Sequence, residues 1–245
     1  MDDFRPRFYL PKFNYMAYLK KGLLGPVTGK VGTLVGSSWR GIEFVKSLPN
    51  RTKPPTPGEL ANRHIFKFTQ QWLTPIDSFL KVGFKGYSQT SYGVNAAKSY
   101  LYKHALKKDG FNSSIDPSLM LVSYGNLSLS DNIQMELIEN DQLSISWNPK
   151  ILKGQDPDDQ VMIVAYNIEK KIAIATASGQ FRKTGQHILD LEGLADGTIH
   201  IYVAFISVDR ESQSNSVYLG TVFIEPRPQV KKKLEKGEDT REVEI

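Results

Sequence analysis

At 245 residues the chain is long enough for one large domain or two small ones that fold without covalent staples. It contains no cysteine, which excludes disulfides, zinc–cysteine sites, iron–sulfur clusters and thiol nucleophiles together. The net charge of +5 conceals an uneven distribution: residues 1–110 hold 18 Lys and Arg against 6 Asp and Glu, and residues 111–245 hold 13 against 20.

These opposite fields favour an anionic partner for the first part, whether nucleic acid, a phospholipid surface or the acidic part of a neighbouring copy. Residues 1–15 read as an N-terminal extension, with Met16 a plausible true start. The N-terminal stretch lacks the basic start and unbroken apolar run of a secretory signal. No apolar stretch approaches the roughly 20 residues of a membrane span. A cytoplasmic protein without a membrane span is expected.

Residues 17–50 are punctuated by Gly25, Gly29, Gly32, Gly36 and Gly41. Between them Val31, Leu34, Val35, Trp39, Ile42, Phe44 and Val45 form short apolar alternations, the pattern of bent strands or hairpins. RTKPPTPG at 51–58 is a linker or rigid turn. From Glu59 the spacing becomes helical, with Leu60, Ile65, Phe68, Trp72, Ile76, Phe79 and Leu80 on one face. Pro75 should kink or split that helix. A second helix is expected over about 91–107, packing Val94, Ala97, Leu101 and Ala105 and turning Lys98, Lys103 and Lys107 to water. Together these segments predict a basic β-hairpin plus helical region over 16–115, its helical hairpin laid against the Gly-rich strands.

Residues 116–225 predict a β-sandwich: LSISWNP, QVMIVAYN, KIAIATA, HILDL, TIHIYVAFIS and NSVYLGTVFI are strand-length runs separated by turn signals. In IHIYVAFIS, His200, Tyr202, Ala204 and Ile206 alternate with Ile199, Ile201, Val203 and Phe205, so both faces are largely apolar. VMIVAY repeats the pattern. An outer sheet face of that kind needs a cover, supplied by the N-terminal helices or by another subunit. Residues 226–245 read as a charged disordered tail. The expected fold class is α+β, a Gly-rich short β segment with a helical hairpin followed by the sandwich.

The C-terminal part resembles a fibronectin type III-like sandwich within the immunoglobulin-like group. Trp147 in SISWNP falls where that family places its core tryptophan, and LEGLADGTIHIYVAFIS is similar to its L-x-x-L-x-x-G-T-x-Y-x-V run, with His200 in place of the tyrosine. The resemblance implies a fold and almost nothing about function. From about Met16 the chain is also similar to an uncharacterised bacterial family of unknown function, number 6266. That likeness is carried by KKGLLGPVTGKVGTLVGSSWRGIEFVKSLP, TPGELANRHIFKF, SYGVNAAKSY and AFISVD…SNSVYLG. It brings no activity or substrate. The proline-rich entry to the first helix also resembles, weakly, segments of phage structural proteins.

No constellation commits the chain to a reaction. GPVTGKVG at 25–32 has three residues between its glycines and Val31 after Lys30, where a phosphate loop has four and then Ser or Thr. His64, His104, His187 and His200 are scattered, although His64 and His104 could meet across the helical hairpin. Asp156, Asp158 and Asp159 crowd one loop without the calcium-loop spacing, and a solvated turn is the favoured reading. The cations Lys20, Lys21, Lys30, Arg40, Lys46, Arg51, Lys53 and Arg63, with Tyr18, Trp39 and Phe44 among them, have the composition of a surface for an anionic partner. No catalytic, cofactor or metal residue is nominated. The expected function is that of a non-catalytic structural or interaction protein that self-associates, with a nucleic-acid-binding accessory protein as the alternative and a phage-like structural component as the second alternative.

Overall fold

The structure is a computed structural model that describes residues 18–19, 25–39, 41–48, 52–88, 93–138, 141–194 and 196–225, Tyr18 and Leu19 by their backbone alone. The expected extension at 1–15 and tail at 226–245 lie outside the described residues. The chain divides into two compact units, Met1–Thr56 and Pro57–Ile245. The Gly-rich strands fall in the first unit, and the helices fall in the second with the strands that follow them.

The first unit is an antiparallel sheet in the order β1 (Tyr18–Leu19), β2 (Val27–Val31), β3 (Leu34–Trp39) and β4 (Ile42–Ser47). Two of its glycines set its shape. Gly29, at φ 107°, occupies a backbone region that side chains disfavour and lets β2 bend. The bent strand passes close over Gly36, where an added Cβ would lie 1.8 Å from the Val27 carbonyl oxygen. The start of β2 thus crosses one face of the sheet at Gly36.

The second unit begins with α1 (Pro57–Leu73), whose buried Ile65, Thr69, Trp72 and Leu73 recur at helical spacing. Pro75 ends it in a single 3-10 turn, Thr74–Ile76, before α2 (Asp77–Gly83). α3 (Val94–His104) completes the helical layer. The short pair β5 (Leu106–Lys107) and β6 (Ser114–Ile115) leads into seven strands. These are β7 (Gln134–Ile138), β8 (Gln142–Ser146), β9 (Gln160–Asn167), β10 (Ile172–Thr176), β11 (Gln186–Asp190), β12 (Gly197–Ile206) and β13 (Val217–Ile224). They form one sheet in the order β10-β9-β12-β13 and a second in the order β11-β8-β7. The fold is α+β with a sandwich-like arrangement of sheets. Strand β7, QMELI, is the one the sequence reading did not single out.

Two apolar cores lie on opposite sides of the four-stranded sheet. Val161, Ile163, Ala165, Ile199, Ile201, Val203 and Phe205 face Leu143, Ile145, Trp147 and Leu189 of the three-stranded side. The alternate residues Met162, Val164, Tyr166, Tyr202, Ala204 and Ile206 pack against Trp72, Leu73, Ile76, Phe79, Leu80, Ala97 and Leu101. The cover that the doubly apolar strands require is therefore the protein's own helical layer. Two phenols seal it: Tyr166 Oη donates to the Trp72 carbonyl at 2.8 Å and Tyr202 Oη to the Pro117 carbonyl at 2.7 Å. A connecting segment stitches the layers further. Tyr124 N donates to the Gly83 carbonyl at 2.8 Å, and Ser123 Oγ donates to the Ser214 carbonyl at 2.7 Å.

Two helical expectations are corrected. Leu60 is exposed on α1, in the first turn, ahead of the buried stripe that starts at Ile65. Lys98 is buried on α3: its ammonium bonds to Gln70 and lies 3.8 Å from the centroid of the Phe66 ring. Its aliphatic stem packs in the interhelical seam and its charged end finds a polar and an aromatic partner there. Burial holds its pKa below the ordinary lysine value.

Candidate interaction surface

The open sheet of the first unit holds the unusual chemistry. The registers Lys30↔Val35↔Lys46, Ser37↔Phe44 and Trp39↔Ile42 place these residues in cross-strand rows on one face. The Lys46 ammonium, 5.9 Å from the centroid of the Phe44 ring, confirms that the two share a side. All six residues of β4 are exposed. Trp39 retains 60% of its accessible surface, Ile42 64% and Phe44 40%, so three large apolar side chains in adjoining rows are exposed. The opposite face, crossed by the start of β2 at Gly36, carries Val31, Leu34 and Val45, which are about half exposed as well.

Of the eight cations expected on an anionic-partner surface, Lys20, Lys21, Arg40 and Arg51 lie outside the described residues. The structure brings Lys30 and Lys46 together on the aromatic face. Lys53 belongs to the stretch between the sheet and α1, and Arg63 is exposed on α1 in the second unit. The GPVTGKVG stretch is largely strand β2, with Lys30 within it, rather than a loop opening a helix.

A second surface was not anticipated from the sequence. In the three-stranded sheet Met135, Leu143, Ile145 and Leu189 face the core. Their alternates point outward in the rows Gln134–Ser146–Gln186, Glu136–Ser144–Ile188 and Ile138–Gln142–Asp190. Among the described residues these rows carry two carboxylates, two isoleucines and no cation. The period-2 alternation of QMELI was the signal that could have found it.

Elsewhere the polar groups have structural partners. Arg182 is wholly buried, its NH2 3.1 Å from Asp159 Oδ2. Its NH1 donates to Ser130 Oγ at 2.8 Å and its NH2 to the Ser128 carbonyl at 2.9 Å. The guanidinium also lies 4.2 Å from the Phe205 centroid, and Trp147 Nε1 donates to the Arg182 carbonyl at 2.7 Å. Desolvation lowers the pKa of Arg182 while the Asp159 charge opposes that shift. In the loop considered for calcium, Asp159 thus takes Arg182, and Asp158 pairs with Lys183 at 2.5 Å. Asp156 Oδ1 accepts from Asp158 N at 2.8 Å. Among the described residues no group of three His, Asp or Glu could hold a metal ion. No described helix is long and apolar enough to cross a membrane.

The histidines have separate neighbours. His64 sits against Phe111 and His104 stacks on Tyr100 at 4.3 Å. His187 Nδ1 accepts from Gln180 N at 3.3 Å, and His200 Nδ1 meets Tyr218 Oη at 3.0 Å. Burial lowers the pKa of His187 and of His200, with Glu169 opposing at His200. A histidine with a depressed folded pKa binds fewer protons when folded than when unfolded. Its contribution is fully present above the unfolded value of about 6.5 and is lost as pH falls from there through the lower folded value. The apparent Tm is therefore expected to drop as pH falls below about 6.5. The drop should shrink in a His187→Gln/His200→Gln variant, and an unchanged slope in thermal melts would refute the assignment.

These features define an α+β protein in which a helix-backed sandwich accompanies a small sheet with an exposed basic and aromatic face. The chain belongs to the family of unknown function DUF6266, whose sequence profile matches residues 26–220. No curated protein matches it significantly.

Proposed function

We propose that the chain is a non-catalytic structural or interaction protein that associates with itself, and that the open sheet β2–β4 is its working surface. The observation that carries this reading is the exposure of Trp39, Ile42 and Phe44 in adjoining rows of that sheet. A sheet this small, with large apolar side chains in water, gains little from its own burial and is stabilised by a partner. The opposite charge of residues 1–110 and 111–245 supports a second copy as that partner.

Within this reading the sandwich is of the fibronectin type III-like kind. The partition of seven strands supports it: the first, second and fifth form one sheet and the third, fourth, sixth and seventh the other. Trp147, directly after β8, packs edge-on against Phe205 at 5.4 Å, and Leu191 and Leu194 enter the core just before Gly197 and Thr198. Where the family's tyrosine would stand, His200 pairs with Tyr218 of the neighbouring strand.

A second reading, single-stranded nucleic-acid binding, is favoured by one observation: Lys30 and Lys46 lie in one row of the face that carries Phe44 and Trp39 in the next rows, the pairing of charge and stacking surface that such ligands use. Light scattering on the full chain, at low salt and at about 1 M salt, where the screening length falls to about 3 Å, with and without DNA, separates the two. A salt-sensitive oligomer without DNA is the expected result. A monomer that gains mass only with DNA would transfer the function to the second reading.

A further inference from the structure

We infer that a second copy of this chain adds to the free edge of β11, its own β11 running antiparallel, so that the three-stranded sheets of two copies join into one. The inference concerns the second unit alone and does not depend on the β2–β4 sheet. Among the described residues, β11 pairs with β8 on one side and with no strand on the other. The ladder fixes which of its main-chain groups are used. Trp147 N donates to the Gly185 carbonyl and Leu191 N to the Asp141 carbonyl, both in the β8–β11 register, so the odd-numbered residues turn their main-chain groups toward β8. By alternation Gln186, Ile188 and Asp190 turn their N–H and C=O groups outward. Among the described residues, no main-chain partner from another segment takes them up. A recess of about 310 Å³, lined by Gln180, Thr184, Gln186, His187 and Ile188, opens beside this strand.

An edge of that kind is a template for a further strand. What selects a second copy is that β11 complements itself. With a two-fold axis through Ile188, the two Ile188 residues lie opposite each other, Gln186 lies opposite Asp190, and His187 opposite Leu189. In the Ile188 row and the Gln186–Asp190 rows the facing residues exchange both N–H···O bonds. The two isoleucines, each 51% exposed in the single chain, then cover one another on the outer face, and no carboxylate meets a carboxylate. The Gln186 side-chain amide is already held by Ser144 Oγ at 2.9 Å and Asp190 Oδ1 by Glu192 N at 2.8 Å, and the contact asks only for the main chain of both residues. At the other edge of the sheet β7 lacks this fit, since an axis through the middle of QMELI would set Glu136 against its own copy. Because both copies use the same patch, the contact is isologous and closes at a dimer.

The test uses three full-length proteins: the unaltered chain, Ile188→Lys and Ile188→Glu, with circular dichroism checking that the variants fold. The unaltered chain is expected to sediment as a dimer even at about 1 M salt, where the screening length falls to about 3 Å. Each variant alone should dimerise at least about tenfold more weakly at low salt, because like charges then lie directly opposite. An equimolar mixture of the two variants regains the dimer at low salt, which misfolded variants could not do. In hydrogen exchange the amides of Gln186, Ile188 and Asp190 are expected to become protected on association. Association that vanishes at high salt and ignores both substitutions would overturn the β11 contact and leave the β2–β4 reading standing. A dimer in which the Ile188 amide exchanges as fast as in the monomer would likewise overturn the strand pairing. An unaltered chain that stays monomeric at high concentration overturns this contact and the self-association reading together.

Discussion

Replacing Asp159 with Ala is expected to destabilise the second unit by about 3–5 kcal/mol, because it strands the Arg182 guanidinium in a place water does not reach. The side chains of both partners are essentially inaccessible, at 0% and 1% exposure, so solvent cannot take over the role of the lost carboxylate. Ser130, Ser128 and the Phe205 ring remain, and they can orient the guanidinium without neutralising it. Removing the charge together with its partner is a different experiment. Arg182→Met with Asp159→Leu should cost far less than Asp159→Ala alone, since the intact pair repays its own desolvation and little more. Equilibrium denaturation of the three proteins decides it, and a loss below about 1 kcal/mol for Asp159→Ala would show that the guanidinium finds another way to be solvated.

The second large effect concerns the sandwich by itself. Residues 116–225, the segment whose strands look self-contained, are expected to aggregate when produced alone, whereas 57–225 should fold. Without the helices, Met162, Val164, Tyr166, Tyr202 and Ile206 face water across the middle of one sheet. At about 1.5–3 kcal/mol for each large side chain, the lost burial is on the order of 10 kcal/mol. That is comparable with the about 5–15 kcal/mol by which a whole domain is stable. Solubility, dye binding to apolar surface and thermal melts of the two fragments provide the measurement. A soluble 116–225 fragment with a cooperative melt would refute the integration of helices and sandwich.

Much of this architecture is written locally in the chain. The apolar residues of 160–167 and 198–207 occupy both strand faces, and that alone requires a layer on each side of the sheet. The helical spacing from Ile65 to Leu80 and the break at Pro75 are equally local. Which layer covers which face is not, because Trp72 and Tyr166 meet across 94 positions of sequence and no local pattern encodes the contact. Lys98 illustrates a different loss: composition assigns a lysine to water, but its position beside Ala97 on α3 carries its stem into the seam. Arg182, within FRKT, reads as part of a solvated turn until Asp159, from the loop before β9, and Phe205, from β12, are brought to it. Of the candidate surface, the lysines and aromatic residues were legible as a composition. Their gathering on one face needed the β2-β3-β4 register, and the acidic face needed the pairing of β7 with β8.

The central pair of strands carries one more consequence, for alignment. In a sheet with one wet face, sliding a strand by a single residue turns its apolar side to water, and that penalty fixes the register. Strands β9 and β12 are buried on both faces, so a one-residue slip would exchange one apolar set for another almost without loss. Something other than hydrophobicity must then choose between neighbouring alignments. The phenol hydroxyls of Tyr166 and Tyr202 have that discrimination, because each reaches a single backbone carbonyl, of Trp72 and of Pro117, and a slip would leave both buried donors without acceptors. The irregularity between Ile201 and Tyr202, where β12 meets β13, acts in the same direction by giving the ladder one position at which it can be in step. In this protein the oily residues hold the layers together, and two tyrosine hydroxyls keep the count.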